Sequence, residues 1–298
     1  MKDRERTIAR VTLWGAFFNL LLTLLKMLAG IFGRSSAMVA DAVHSLSDLV
    51  SDLVVVVMIR ISSKERDHGH DYGHGKFETL ATVFVSVILL AVAGKLMADG
   101  VGKIMTVARG GVLESPGRIA LWAALVSIAV KEILYQWTAA VGRKVDSPAM
   151  IANAWHHRSD ALSSVGSALG IGGALLLGGR WTVLDPVMAC VISIVIIVVA
   201  VKMMIPALAE LTDASLPDEI ENRITEVIQS VPGVENAHNL RTRRSGPDII
   251  ADVHIVVNPE ISVRDAHEIS SGVESALKRE FGGDIQVSIH IEPDIDSE

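Results

Sequence analysis

The sequence predicts a membrane α-helical protein: six transmembrane helices over residues 1–210, then a small α+β domain over 211–298 with the order α-β-β-α-β. Three observations carry this. Six apolar stretches each reach the roughly 20 residues needed to cross a bilayer. Half of the residues are hydrophobic while aromatics make up only 4%, so the apolar content is mainly aliphatic. The net charge of −7 is also unevenly placed. From Asp213 onward there are seven basic and eighteen acidic residues, leaving twenty basic against sixteen acidic before it. An acidic, soluble C-terminal domain thus follows a lipid-facing portion with basic flanks. That charge argues against nucleic acid and fits cations.

The spans run over 8–32, 36–61, 78–101, 118–140, 148–177 and 183–205. Only Gly33-Arg34-Ser35 separates the first two, which predicts a tight helical hairpin. Lys and Arg concentrate before span one and in the loops after spans two and four, which places both termini in the cytoplasm. The apolar run from Val11 is long enough to span and has no small-residue cleavage site, so no cleavable signal peptide is expected. Cys190, the single cysteine, reads as a small core residue, and no disulfide framework is possible within the chain.

After a connector over 207–215, Leu216-Pro217-Asp218-Glu219 opens a helix reaching about Ser230, with Pro tolerated in the first turn and acids suited to the helix dipole. A strand is expected over 236–242, then a turn at Arg244-Ser245-Gly246-Pro247. Residues 249–257 alternate: Ile249, Ala251, Val253, Ile255 and Val257 point one way, Asp252 and His254 the other. A helix over 263–281 stops at Gly282-Gly283, and the last strand sets Ile285, Val287, Ile289 and Ile291 against His290 and Glu292. Two helices should cover the apolar face of the three strands.

Two short pieces share one spacing. His44 and Asp48 lie four residues apart in span two, as do His156 and Asp160 in span five. On a helix that spacing puts both side chains on one face, about 6 Å apart. Two such faces turned together offer two imidazole nitrogens and two carboxylate oxygens, a tetrahedral set suited to Zn²⁺. Ionisable groups inside membrane spans are costly, so matched pairs on two spans point to function. Asp41 and Asp52 flank the first pair and could line a wet cavity or guide ions. Asn19, Lys26, Lys95, Asp99, Lys131 and Glu132 are expected mostly to snorkel to an interface or to bond between helices. Residues 67–76 hold three histidines and three glycines, which suggests a second metal site. The sequence holds no glycine-rich phosphate loop and no Ser-His-Asp arrangement, so no nucleotide is expected and uphill transport would need an ion gradient.

The chain resembles the cation diffusion facilitator family, its bacterial zinc–proton antiporters in particular. The resemblance covers nearly the whole length. It is carried by Ala40-Asp41-Ala42-Val43-His44-Ser45-Leu46-Ser47-Asp48, by residues 156–160, by Gly73-His74-Gly75-Lys76-Phe77-Glu78, and by Leu240-Arg241-Thr242-Arg243-Arg244-Ser245-Gly246-Pro247. It implies a cytoplasmic, metallochaperone-like C-terminal domain and a transport site of His44, Asp48, His156 and Asp160. It also implies a loop site of Asp67, His70 and His74 and a cytoplasmic site of His238, His254, His267, His290 and Glu292. Glu292 stands where a relative has Asp, which keeps the charge and lengthens the arm. His68 and His157 match no ligand position. The family further implies a homodimer with a charge interlock between Lys76 and Asp213.

The expected activity is therefore efflux of a divalent cation, Zn²⁺ by preference, against inward protons, by alternating access in a bacterial inner membrane. Rival readings are the same transporter carrying Fe²⁺, Mn²⁺, Co²⁺ or Cd²⁺, a non-transporting metal-sensing partner, and a membrane metalloenzyme. A catalytic zinc keeps an open coordination position, which four matched ligands would fill; no enzyme is expected.

Overall fold

The computed structural model of the chain describes residues 2–62, 64, 67–144, 148–246, 248–282 and 285–294, with backbone only for 2–9, 51–62, 148, 149 and 152. Six long helices come first: α1 (Lys2–Phe32), α2 (Ser36–Ser62), α3 (Lys76–Ala108), α4 (Arg118–Lys144), α5 (Pro148–Leu177) and α6 (Leu184–Leu211), the last preceded by a 3₁₀ turn over Gly179–Val183. Then follow α7 (Asp218–Gln229), β1 (Asn236–Ser245), β2 (Asp248–Val257), α8 (Val263–Phe281) and β3 (Gln286–Pro293). Among the described residues, five helices are long and apolar enough to cross a membrane; they lie in α1, α3, α4, α5 and the stretch containing α6. The second half of α2 is described as backbone alone.

Several helices outrun the predicted spans. α3 continues to Ala108 and α6 to Leu211, because a helix satisfies its own backbone and need not stop where the apolar run does. Pro206 sits inside α6 and removes one donor without ending it. The connector is correspondingly shorter than expected and begins at Thr212.

The chain divides into two compact units: residues up to 53 with 85–202, and 54–84 with 203–298. In the first, Ala29, Ala37, Met38, Ala120, Ala123, Ala124 and Ile171 form a buried cluster. Small side chains let α1, α2, α4 and α5 approach closely, the usual basis of helix packing in lipid. The hairpin between α1 and α2 forms as expected, and Arg34 takes a left-handed φ of 51° in its turn. Asp185 finishes this corner: its carboxylate accepts from Ser35 Oγ at 2.5 Å, Ser36 N at 2.7 Å and Ala37 N at 3.3 Å. These contacts satisfy backbone donors that the start of α2 would otherwise leave buried and unpaired.

In the second unit, three strands form one sheet in the order β1-β2-β3, antiparallel then parallel. Leu216, Ile224, Val227, Ile228, Val253, Ile255, Val257, Val273, Leu277 and Ile285 make its core, so α7 and α8 cover the apolar face. The capping box expected of a stable helix start is present on α8, with Ser262 and Asp265 bonding reciprocally. β1 runs three residues further than the sequence suggested, because Arg243 and Arg244 pair with Ile250 and Ile249. The register is the important result: His238 lies opposite His254, and His254 opposite His290. Directly opposed residues point to the same face, so three imidazoles form one rung across the sheet, on the face away from α8.

Candidate metal centres

In the membrane helices, α2 brings His44 and Asp48 to one face by their four-residue spacing, and α5 brings Asp160 to meet them. One ligand atom from each of these three lies within 4.8 Å of the other two. His44 Nδ1 is buried and has no hydrogen-bond partner among the described atoms. A buried, unpartnered imidazole nitrogen on a member of this group is compatible with metal binding. His156 is not part of this tight group. Its side chain is 46% exposed, and Nε2 stands 3.8 Å from Asp160 Oδ1. The neighbouring His157 points inward instead and is almost fully buried, one residue and about 100° around the helix.

The buried lysines do not snorkel. Lys26 Nζ lies 3.0 Å from Asp41 Oδ2 and donates to Ser45 Oγ at 3.0 Å, with both charged side chains fully buried. Asp41 also accepts from Ser163 and Ser164, each at 2.9 Å. Lys131 Nζ donates to Asp160 Oδ2 at 2.6 Å and to Asn19 Oδ1 at 2.7 Å. Of the two expected fates, reaching an interface or bonding between helices, Lys26 and Lys131 take the second, and their partners sit at separations that no periodicity reveals. The side chain of Asp52 lies outside the described residues.

The loop before α3 is a folded turn rather than a loose tether. His70 N donates to Asp67 O at 3.1 Å and Gly73 N to His70 O at 3.0 Å. Asp67 Oδ1 faces His70 Nδ1 at 3.2 Å, and Oδ2 faces His74 Nε2 at 3.4 Å. The ligand atoms of Asp67, His70 and His74 again fall within 4.8 Å of one another, with His74 buried. A backbone N–H from Gly69, helped by His70 and His74, holds the Asp67 carboxyl below the usual range, so it is ionised at neutral pH. His68 is exposed and outside the group.

On the sheet, Glu292 collects the rung. Its Oε2 lies 3.0 Å from His238 Nε2, its Oε1 lies 2.8 Å from His254 Nδ1, and His290 Nε2 is 3.7 Å from Oε1. His238, His254 and Glu292 form the compact set, with His290 at its edge. The bond to His254, supported by the other two imidazoles, lowers the Glu292 pKa. His267 is exposed on α8, across the sheet from this face, and joins no described group. Within one chain, a helix that covers the apolar side does not bring a residue on its outer surface to the polar side of the same sheet.

Lys76 Nζ meets Asp213 Oδ1 at 2.7 Å, with Arg243 a further 3.9 Å contact. Asp213 adopts a left-handed φ of 54° to make this pair at the exit of α6. The Lys76 hydrogen bond, then its charge and that of Arg243, depress the Asp213 pKa. A depressed carboxyl contributes stability above its unfolded value and loses it as pH falls through its folded one. Asp213→Asn is therefore expected to lower thermal stability between pH 5 and 8, with the difference from the parent shrinking as pH falls below the ordinary carboxylate range and through the depressed folded value. Parallel melting curves check this.

Long apolar helices enclosing an imidazole–carboxylate cluster, joined to a soluble sheet that carries a second one, define a membrane carrier for metal cations rather than an enzyme. Comparison with known proteins agrees. Residues 13–212 match the cation efflux transmembrane domain and residues 216–294 the cytoplasmic domain of cation efflux proteins. The chain belongs to the cation diffusion facilitator family and is a divalent-cation efflux transporter. It is 38% identical to metal tolerance protein C1 of Arabidopsis thaliana over 91% of its own length, and spans 59% of that longer relative. It is 36% identical to the magnetosome protein MamM of Paramagnetospirillum magneticum, covering 88% of this chain and 81% of that one. It is 29% identical to the manganese efflux system protein MneP of Bacillus subtilis, covering 98% of both.

Proposed function

We propose that the chain exports Zn²⁺ from the cytoplasm in exchange for protons, with His44, Asp48, His156 and Asp160 as the transport site. The observation that carries this reading is the convergence of His44, Asp48 and Asp160 from two helices, with His156 beside Asp160. Neutral imidazole binds metal and protonated imidazole does not, so metal and protons compete for one site. Alternating exposure of that site to the two sides would make the competition an exchange. The basic flanks support termini in the cytoplasm, the family resemblance alone suggests a bacterial inner membrane, and the matched cytoplasmic domain supports a homodimer. The Lys76–Asp213 pair would brace that dimer where the helices meet the domain.

A second reading has its own support. The tight group holds one imidazole and two carboxylates, an oxygen-rich set that suits Mn²⁺ or Fe²⁺ better than a two-imidazole site does. A relative named for manganese efflux points the same way. Zn²⁺ flux into proteoliposomes under an imposed pH gradient, in competition with Mn²⁺, Fe²⁺, Co²⁺ and Cd²⁺, decides between them. Zn²⁺ flux that follows the gradient and dominates the mixture supports the first reading. Preferred Mn²⁺ or Fe²⁺ flux replaces it with the second.

The two remaining clusters fit regulatory metal. Asp67, His70 and His74 supply one carboxylate and two imidazoles, as do His238, His254 and Glu292. Metal there would favour one arrangement of the dimer by binding it better than the other. Glu292→Ala is expected to weaken zinc binding at the sheet by at least about tenfold, since it removes the group that every imidazole faces. Calorimetric titration reads the effect, and unchanged affinity would exclude Glu292 as a ligand.

A further inference from the structure

Lys131 is a cation placed where the transported cation has to go. It lies in the apolar middle of α4, its side chain 3% exposed, and donates to Asp160 Oδ2 at 2.6 Å. The other oxygen of that carboxylate faces His156 Nε2 at 3.8 Å, and Asp160 also belongs to the group with His44 and Asp48. Asn19 Oδ1, at 2.7 Å, is a second acceptor for the same ammonium.

The other buried lysine is differently employed. Lys26 is held by Asp41 and Ser45, and Asp41 is further bonded by Ser163 and Ser164. Asp41 is absent from the tight metal-binding group, and its hydrogen bonds run to Lys26, Ser163 and Ser164 instead of to a member of that group. The carboxylate of Asp160 is shared. A divalent ion and an ammonium against one carboxylate would stand a few ångströms apart in a water-poor interior, where like charges repel strongly.

We propose that Lys131 is a tethered counter-cation that competes with the transported metal for Asp160 and so sets how readily the metal is released. This deepens, and rests on, the reading of His44, Asp48, His156 and Asp160 as the transport site. With metal absent, the ammonium neutralises Asp160. When metal enters, the lysine stem turns its head away from the carboxylate and keeps the bond to Asn19. When the site opens to the far side, the ammonium returns and helps expel the ion. Lysine suits the task, being a point charge on a flexible stem, whereas arginine would grip a carboxylate with a rigid two-pronged fork. Selectivity follows as well: an ion must gain enough from imidazole to displace the ammonium, which disfavours ions that bind mainly through oxygen.

The test titrates Zn²⁺ into the full chain in nanodiscs at fixed pH, taking the component lost in Asp160→Ala as the transmembrane site. Lys131→Met is expected to tighten that component by about tenfold or more. In vesicles the same variant should lower both KM and kcat for Zn²⁺ flux, because an ion held more tightly leaves more slowly. Lys131→Arg keeps the charge and is expected not to tighten binding. Asn19→Ala removes the ammonium's other acceptor and should weaken binding, the opposite sign. Unchanged or weaker binding in Lys131→Met, or equal tightening in Lys131→Arg, overturns the proposal. If Lys131→Met does not fold, Asn19→Ala decides: weaker binding upholds the competition, and unchanged or tighter binding overturns it. Full retention of binding in Asp160→Ala would instead refute the transport-site reading, and this proposal with it.

Discussion

Asp160→Ala is expected to abolish metal-dependent proton flux in vesicles, by about a hundredfold or more, while the dimer remains intact. Among the described residues, no other joins so many parts of the proposed membrane site. It belongs to the group with His44 and Asp48, faces His156, and receives the Lys131 ammonium. Removing its carboxylate deletes a proposed metal ligand and leaves the Lys131 ammonium with Asn19 as its remaining hydrogen-bond acceptor. Asp160→Asn is the sharper control, since it keeps the shape and one oxygen acceptor but not the charge. Flux near the parent level in either variant, from a protein that elutes as a normal dimer, would exclude this cluster from transport.

The second large effect falls on stability. Lys26→Met is expected to cost about 3–5 kcal/mol, because it leaves Asp41 as a buried carboxylate without its cation. Ser163 and Ser164 would still donate to Asp41, but two hydroxyls do not replace a full charge. The double variant Lys26→Met with Asp41→Asn is expected to recover much of the loss, since a neutral pair is cheap to bury. Thermal unfolding in detergent of the two variants and the parent tests the sign and the recovery. Equal stability of Lys26→Met and the parent would mean that water reaches Asp41.

The sequence made some of this site plain and hid the rest, for a physical reason. His44 with Asp48 and His156 with Asp160 were legible because helix periodicity alone puts each pair on one face. The sheet was legible for the same kind of reason: alternation separates Val253 and Ile255 from His254, and Ile289 and Ile291 from His290. Lys26, Lys131 and Asp185 were not legible. Each acts through a partner on another helix: Lys26 with Asp41, Lys131 with Asn19 and Asp160, and Asp185 with the start of α2. The only local signal was their presence in or beside apolar stretches, and the same signal is given by a lysine that reaches out to lipid headgroups. Register across strands is also non-local, so the rung of His238, His254 and His290 emerges only once β1, β2 and β3 are paired.

The turn between β1 and β2 has a practical consequence. Its backbone at Ser245 and Gly246 lies so close to Gly75 that a methyl group on Gly75 would overlap the Ser245 carbonyl. Gly246 N also donates to Glu210 at 2.7 Å, and Glu210 in turn accepts from Thr79. A hairpin tip is ordinarily the favoured place to splice a reporter or graft an epitope. Here the tip is wedged against the first turn of α3, so a graft would act as a brake on that helix rather than as a silent label. The exposed residues Asn258–Glu260, between β2 and α8, offer the better port for fluorophores or fusion partners.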